Sequence, residues 1–127
     1  MKTSTTIILS LILIIIIGVV GFRLTGNAVA EPGKYDAFAQ CLSDNDVKMY
    51  GAYWCPNCEQ QKLMFDDSWK KVDYIECSLP QRRGQTQVCI RENIQYYPTW
   101  EFTDGSRVSG TLSLQELSAR TGCALPN

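Results

Sequence analysis

An uninterrupted apolar segment near the start of the chain restricts the fold most strongly. Residues 7–22 contain no charged residue, and their only polar side chain is Ser10. A helix inside a soluble domain needs a polar face toward water, and this segment has none. We therefore predict that residues 1–30 form an N-terminal membrane anchor or signal segment and that residues 31–127 form the folded domain.

Two interpretations of this segment remain open. A cleaved signal peptide would use Lys2 as its charged end and would be cut after Ala30, at Ala28-Val29-Ala30. An uncleaved transmembrane helix is favoured by the apolar run, which exceeds the about 7–15 residues of signal-peptide cores, and by Arg23 directly after it. Either interpretation places residues 31–127 on the extracytoplasmic side of a membrane.

The composition excludes several classes of function. The chain has 12 Lys and Arg, 13 Asp and Glu, and no His. The absence of histidine excludes His-based metal sites, Ser-His-Asp triads and Cys-His dyads. No block of Lys or Arg is present to contact phosphates, so we expect no nucleic-acid partner. The cysteines are the strongest nucleophiles that remain, and nothing in the sequence indicates a bound cofactor.

All six cysteines follow the apolar segment: Cys41, Cys55, Cys58, Cys77, Cys89 and Cys123. An even number of cysteines in a small exported domain predicts disulfides, because the cytosol would keep them reduced. Their spacing alone does not give the connectivity.

Hydrophobic periodicity and turn signals predict an α/β domain. The expected elements are a helix over 35–42, a strand over 47–54, a helix over 56–67, a strand over 72–76, a helix over 85–93, a hairpin with a two-residue turn at Asp104-Gly105, and a helix from the capping box of Ser113 and Glu116 to Gly122. Elements in this order pack as a mixed sheet with helices on both faces.

Cys55 and Cys58 flank Pro56 and Asn57 where the first strand is expected to meet a helix. Residues three apart in a first helical turn share a face, so the two sulfurs can approach bonding distance. The N–H groups at a helix N-terminus stabilise a thiolate at Cys55. We predict a redox-active dithiol in which Cys55 is the nucleophile and Cys58 resolves the mixed disulfide. A structural disulfide and a metal site are the alternatives.

The sequence around this pair resembles a known family. Residues 50–58, YGAYWCPNC, are followed by Gln61-Lys62, by YIEC at 74–77, by YPTW at 97–100 and by Gly122-Cys123. Over about residues 35–123, this combination resembles the thioredoxin-like domain that is fused to, or encoded with, bacterial and plant homologues of vitamin K epoxide reductase. The resemblance implies a thioredoxin fold with a mixed four-stranded sheet flanked by helices, protein thiols or disulfides as substrates, and a membrane oxidase resembling vitamin K epoxide reductase as partner.

The resemblance also implies a substrate-binding site beside the dithiol. Tyr97–Pro98 would be a cis peptide bond, and the backbone preceding Pro98 would dock substrate as an added strand. Aromatic residues are predicted to form an apolar rim for unfolded substrates, with core packing as the alternative: Tyr53, Trp54, Tyr96, Tyr97 and Trp100.

The remaining cysteines are expected to be structural. In the family, an extra disulfide lies where this chain has Cys77 and Cys89, which implies that these two pair. Cys41 and Cys123 end the first and last helices and are candidates for a second disulfide, whereas free buried thiols are the alternative.

Two positions depart from the family pattern. Asn57 replaces a commonly found histidine, and a neutral amide cannot stabilise the Cys55 thiolate as a cation would, so we expect a weaker oxidant. Met49 occupies the position where thioredoxins keep a buried acidic residue. The base for Cys58 is therefore unassigned, with Glu59 as a candidate or merely a solvated helix charge.

These observations predict an exported, membrane-tethered thiol–disulfide oxidoreductase that passes disulfides to secreted proteins. A reductase or isomerase supplied with electrons by a membrane carrier is an alternative that Asn57 keeps open. A non-catalytic binding adaptor with the same fold and a metal-binding module are alternatives from other classes.

Overall fold

The computed structural model of the chain describes residues 7–8, 11–16 and 31–127. Contacts divide the chain into two compact units, Met1–Glu31 and Pro32–Asn127. In the first unit, residues 7–8 and 11–16 are helical. The rest of the predicted anchor or signal segment, including Arg23 and the proposed cleavage site, lies outside the described residues. No helix in the described ranges is long and apolar enough to cross a membrane.

The second unit alternates helices and strands. In chain order these are α1 (Asp36–Asp44), β1 (Lys48–Gly51), α2 (Pro56–Leu63), the 3₁₀ helix η1 (Asp66–Lys71), β2 (Asp73–Glu76), the 3₁₀ helix η2 (Pro80–Arg82), α3 (Gln87–Arg91), β3 (Thr99–Glu101), β4 (Arg107–Ser109) and α4 (Leu114–Thr121). The strands form a four-stranded sheet in the order β2-β1-β3-β4. β1 is parallel to β2 and antiparallel to β3, and β3 is antiparallel to β4. This mixed sheet with flanking helices fits an α/β thioredoxin-like fold, as predicted.

The sheet has a buried cluster on each face. Side chains alternate along a strand, so the neighbours Met49 and Tyr50 in β1 point to opposite faces. Met49 packs with buried residues of α1, α2 and α4, whereas Tyr50 packs with Cys77, with Cys89 of α3 and with Ile94. Helices therefore cover both faces of the sheet.

Both elements next to the cysteine pair are shorter than expected. β1 ends at Gly51 rather than at residue 54, because the chain turns there and the Cys55 N–H donates to the Ala52 carbonyl at 3.0 Å. α2 ends at Leu63 rather than near residue 67, and η1 begins at Asp66, which adopts a φ of 48°. Cys55 consequently lies at the start of α2, after a short turn instead of directly after a strand.

The hairpin between β3 and β4 has a three-residue loop rather than the predicted two-residue turn. The Phe102 N–H donates to the Ser106 carbonyl at 2.9 Å, which leaves residues 103–105 in the loop. Gly105 has a φ of 77°, the left-handed conformation that such three-residue loops require at their last position. The following helix, α4, begins with the predicted capping box of Ser113 and Glu116.

Candidate active site

Cys55 is the N-cap residue of α2. Its sulfur accepts a hydrogen bond from the Cys58 N–H, with an N–Sγ distance of 3.3 Å. Pro56 occupies the first turn, where its missing N–H costs nothing because that position has no partner inside the helix. The Cys55 sulfur therefore lies at the N-terminal end of α2, where a backbone N–H of the first turn points at it.

Cys58 lies one turn further along the helix and is more deeply buried. Cys55 is 6% exposed and Cys58 is 0% exposed, and both are free thiols. Burial is the main cause that raises the pKa of Cys58 to about 12, and the neighbouring Cys55 adds to the rise. At neutral pH, Cys58 is therefore a protonated thiol, and Cys55 is the less deeply buried cysteine of the pair.

The segment before β3 lies directly beside Cys55. The Tyr97–Pro98 peptide bond is cis, Pro98 is buried, and the Cys55 sulfur lies 3.7 Å from the Tyr97 carbonyl oxygen. Gln85 donates to the Tyr97 hydroxyl at 2.6 Å and holds its side chain in place. Within residues 31–127, the Tyr97 backbone N–H donates to no acceptor. An open backbone donor therefore lies next to the pair.

Three of the aromatic residues predicted for the rim are partly exposed. Tyr53 is 46% exposed, Trp54 38% and Tyr96 70%. Trp54 packs edge-to-face against Tyr97 with ring centres 6.1 Å apart, and its Nε1 donates to the Ser78 hydroxyl at 2.7 Å. Trp54 and Tyr97 thus form an ordered apolar surface beside Cys55.

Trp100 does not belong to this surface, and core packing, the alternative for these aromatics, is confirmed for it. It is fully buried in the core, where its Nε1 donates to the Oε1 atom of Gln61 at 3.1 Å. Gln61 belongs to the family pattern but had no predicted role. It is also fully buried, and it bonds the N–H and carbonyl of Leu112 at 2.8 and 2.9 Å. It therefore ties α2 to β3 and to the loop before α4. Its spacing of three from Cys58 was the available signal, since residues three apart share a helix face.

Gly51 leaves room for both the Tyr74 ring and the resolving cysteine beside β1. A Cβ atom at Gly51 would lie 2.8 Å from Tyr74 Cε2 and 3.0 Å from Cys58 Sγ, closer than such atoms approach without a shift. The aromatic ring and the thiol therefore both border the space that a side chain at position 51 would fill. The parallel register of β1 and β2 produces this arrangement by pairing Met49 with Tyr74 and Gly51 with Glu76.

Glu59, the candidate base for Cys58, points toward solvent. Its side chain is 54% exposed and forms an ion pair with Lys62 at 2.9 Å. This geometry favours the alternative that Glu59 is a solvated helix charge. Met49 is fully buried and supplies no carboxylate in its place.

The other four cysteines form two disulfides. Cys77 is joined to Cys89 with an S–S distance of 1.99 Å, and Cys41 is joined to Cys123 at 2.02 Å. In the part of the chain that the structure describes, no group of three or more His, Cys, Asp or Glu side chains is placed to hold a metal ion. The two free thiols of α2 therefore form the candidate active site.

Comparison with known proteins identifies a relative of this chain. The chain is similar to thiol-disulfide oxidoreductase LTO1 of Arabidopsis thaliana, with 37% identity over 93 residues. The match covers 70% of this chain and 24% of LTO1, so the chain spans about a quarter of the relative's length. No protein-family model matches the chain. Together, the free cysteine pair and this relative support an oxidoreductase.

Proposed function

We propose that this chain is a thiol–disulfide oxidoreductase in which Cys55 exchanges disulfides with protein substrates and Cys58 resolves the mixed disulfide. The observation that carries this proposal is the position of the Cys55 sulfur at the N-cap of α2, hydrogen-bonded by the N–H of a second free cysteine. A helix N-terminus favours the thiolate, which is the nucleophile in disulfide exchange.

The reaction proceeds through two exchanges. The Cys55 thiolate attacks one sulfur of a substrate disulfide, a mixed disulfide forms, and the other substrate sulfur leaves as a thiolate. Cys58 then loses its proton and attacks the Cys55 sulfur, which releases the second substrate thiolate and forms the Cys55–Cys58 disulfide. The same steps in reverse oxidise a substrate dithiol.

The Tyr97 backbone is the proposed docking point for the substrate. Its carbonyl oxygen lies 3.7 Å from the Cys55 sulfur, and its N–H is open within residues 31–127. An extended substrate segment can therefore pair with this backbone as an added strand, which brings a substrate cysteine to Cys55. Trp54, Tyr97 and Pro98 would supply the apolar contacts beside it.

For the cellular setting, the proposal is an extracytoplasmic domain tethered to the membrane by residues 1–30, with secretion after cleavage following Ala30 as the alternative. Two disulfides in a domain of this size support an oxidising compartment, because the cytosol reduces such bonds. The proposed acceptor of electrons is a membrane oxidase resembling vitamin K epoxide reductase, and the proposed substrates are secreted proteins. The family resemblance of residues 35–123 supports this partnership.

A disulfide reductase or isomerase is a second candidate, favoured by the uncharged Asn57 between the cysteines. The equilibrium reduction potential of the full chain in glutathione buffers separates the two directions. A value near about −120 mV indicates a disulfide donor, and a value near about −270 mV indicates a reductant.

Reactivity of Cys55 tests the proposal against a binding adaptor with the same fold. The reduced full chain is treated with a thiol-specific alkylating reagent at neutral pH, with free cysteine as reference and Cys55→Ser as control. We expect Cys55 to react at least about tenfold faster than free cysteine, because the helix N-terminus stabilises its thiolate. A Cys55 that reacts no faster than free cysteine would favour the adaptor.

A further inference from the structure

Lys62 lies one turn after the buried resolving thiol in the same helix. It lies four residues after Cys58 in α2, so the two side chains lie on one face of the helix. Its Nζ atom lies 4.5 Å from the centre of the Tyr74 ring and 2.9 Å from the Glu59 carboxylate. The Lys62 side chain is only 21% exposed, so its charge is held at the edge of the core next to the active site.

Tyr74 is fixed in position by its neighbours. Its hydroxyl donates to Glu76 at 2.7 Å, and its ring packs edge-to-face against Trp69 with centres 5.6 Å apart. Glu76 in turn accepts hydrogen bonds from the backbone N–H groups of Ser78 at 2.8 Å and Tyr53 at 3.3 Å. The Tyr74 ring, which contacts Lys62 and lies beside Gly51, therefore has a defined orientation.

The surroundings of Cys58 shift its pKa in opposite directions. Burial and Cys55 raise the pKa of the Cys58 thiol, whereas a hydrogen bond from the Ala52 backbone and, to a smaller extent, the positive charge of Lys62 lower it. Glu59 and Glu76 lie one layer further out, bonded to Lys62 and Tyr74, and Met49 contributes no charge. In the described part of the chain, Lys62 is thus the cation whose charge counteracts the effect of burial on the pKa of Cys58.

We propose that Lys62, held by the Tyr74 ring and by Glu59, stabilises the Cys58 thiolate during disulfide exchange. This inference rests on the proposed function. In the resolving step, the Cys58 proton passes to water, the thiolate attacks the Cys55 sulfur, and the electron pair of the broken bond leaves on the substrate sulfur. In the opposite direction, a substrate thiolate attacks Cys55 and the Cys58 thiolate is the leaving group. Lys62 assists both directions of exchange, because the Cys58 thiolate forms in each.

A chromogenic aromatic disulfide tests this role in the reduced full chain. Attack by Cys55 releases one aromatic thiolate in a first phase, and attack by Cys58 on the resulting mixed disulfide releases the second. The two phases are followed by absorbance across about pH 6 to 10, below the pKa of Cys58, where the rate of the second phase rises with the small fraction of thiolate. Lys62→Met removes the charge, Lys62→Arg retains it, and Lys70→Met removes an exposed charge of η1 as control.

We expect Lys62→Met to slow the second phase about tenfold at every pH in this range, because a rise of about one unit in the pKa of Cys58 leaves about one tenth of the thiolate. The first phase should stay within about twofold, and Lys62→Arg and Lys70→Met should resemble the unchanged chain. Glu59→Gln should accelerate the second phase, because it removes the negative charge that is paired with Lys62. Opposite signs for Lys62→Met and Glu59→Gln distinguish an electrostatic role from a structural one.

Two results would overturn the inference. One is a second phase that is unchanged in Lys62→Met and in Glu59→Gln at every pH. The other is a second phase that is slowed equally by Lys62→Met and Lys62→Arg, since packing rather than charge would then be responsible. Absence of the first phase in the unchanged chain would instead contradict the proposed function itself.

Discussion

Asn57 lies between the two cysteines in the first turn of α2, with an exposed and uncharged side chain. At this position a side-chain charge acts on the Cys55 thiolate, because both lie at the helix N-terminus. The reduced form contains the thiolate, so a cation at position 57 stabilises reduced protein and makes the disulfide a stronger oxidant. The identity of this residue therefore sets the balance between donating and removing disulfides.

Replacing Asn57 by His should raise the reduction potential by about 30 mV for each tenfold stabilisation of the dithiol form. The rise should be larger at pH 6 than at pH 8, because an unperturbed imidazole, with a pKa of about 6.5, loses its charge between them. Titration in glutathione buffers at both pH values measures the shift. Gln60→His places the same side chain one turn further from the N-terminus and should have a smaller effect. An equal shift in both variants would contradict this explanation.

The elements around the site are joined by one buried amide. Gln61 satisfies the indole N–H of Trp100 and both backbone groups of Leu112, so a single side chain of α2 bonds β3 and the segment leading to α4. Buried polar groups that lose their partners cost about 1–3 kcal/mol each. The position of the helix that carries Cys58 therefore depends on this residue.

We expect Gln61→Leu to lower the free energy of unfolding by about 2–4 kcal/mol, because the indole and Leu112 groups lose their partners inside the core. Gln60→Leu, at an exposed position of the same helix, should change it by less than about 0.5 kcal/mol. Urea denaturation of the oxidised chains measures both values. Equal losses of unfolding free energy in the two variants would show that the hydrogen bonds of Gln61 do not hold α2 in place.

Local signals in the sequence predicted the order of the elements and the place of the cysteine pair. Pro56 after Cys55 indicated the start of α2, and the capping box of Ser113 indicated the start of α4. The contacts of Gln61 and the packing of Tyr74 against Gly51 were not predictable in this way. They depend on the register between β1 and β2 and on the position of the loop before α4, which residue spacing within one element does not determine.

At the scale of the whole molecule, two disulfides of different span close the domain. The Cys77–Cys89 bond joins residues 12 apart around the loop between β2 and α3. The Cys41–Cys123 bond joins residues 82 apart and links α1 to the segment after α4. A cross-link that closes a longer loop removes more conformational entropy from the unfolded chain.

Removal of the longer cross-link should therefore be more destabilising. In the chain-entropy relation, Cys41→Ala with Cys123→Ala lowers the free energy of unfolding by about 4.5 kcal/mol, and Cys77→Ala with Cys89→Ala lowers it by about 3 kcal/mol. Urea denaturation of the two double variants under oxidising conditions gives the order. The reverse order would show that native packing, rather than entropy of the unfolded chain, determines their contributions.

The most direct measurement of the central assignment is the trapping of mixed disulfides in the full chain. Cys58→Ser removes the resolving thiol, and mass spectrometry of peptides identifies which cysteine carries a substrate after acid quenching. Our account predicts covalent protein adducts on Cys55 in Cys58→Ser and none in a variant that also carries Cys55→Ser. Adducts that persist without Cys55, or a Cys58→Ser chain that traps no protein, would contradict it.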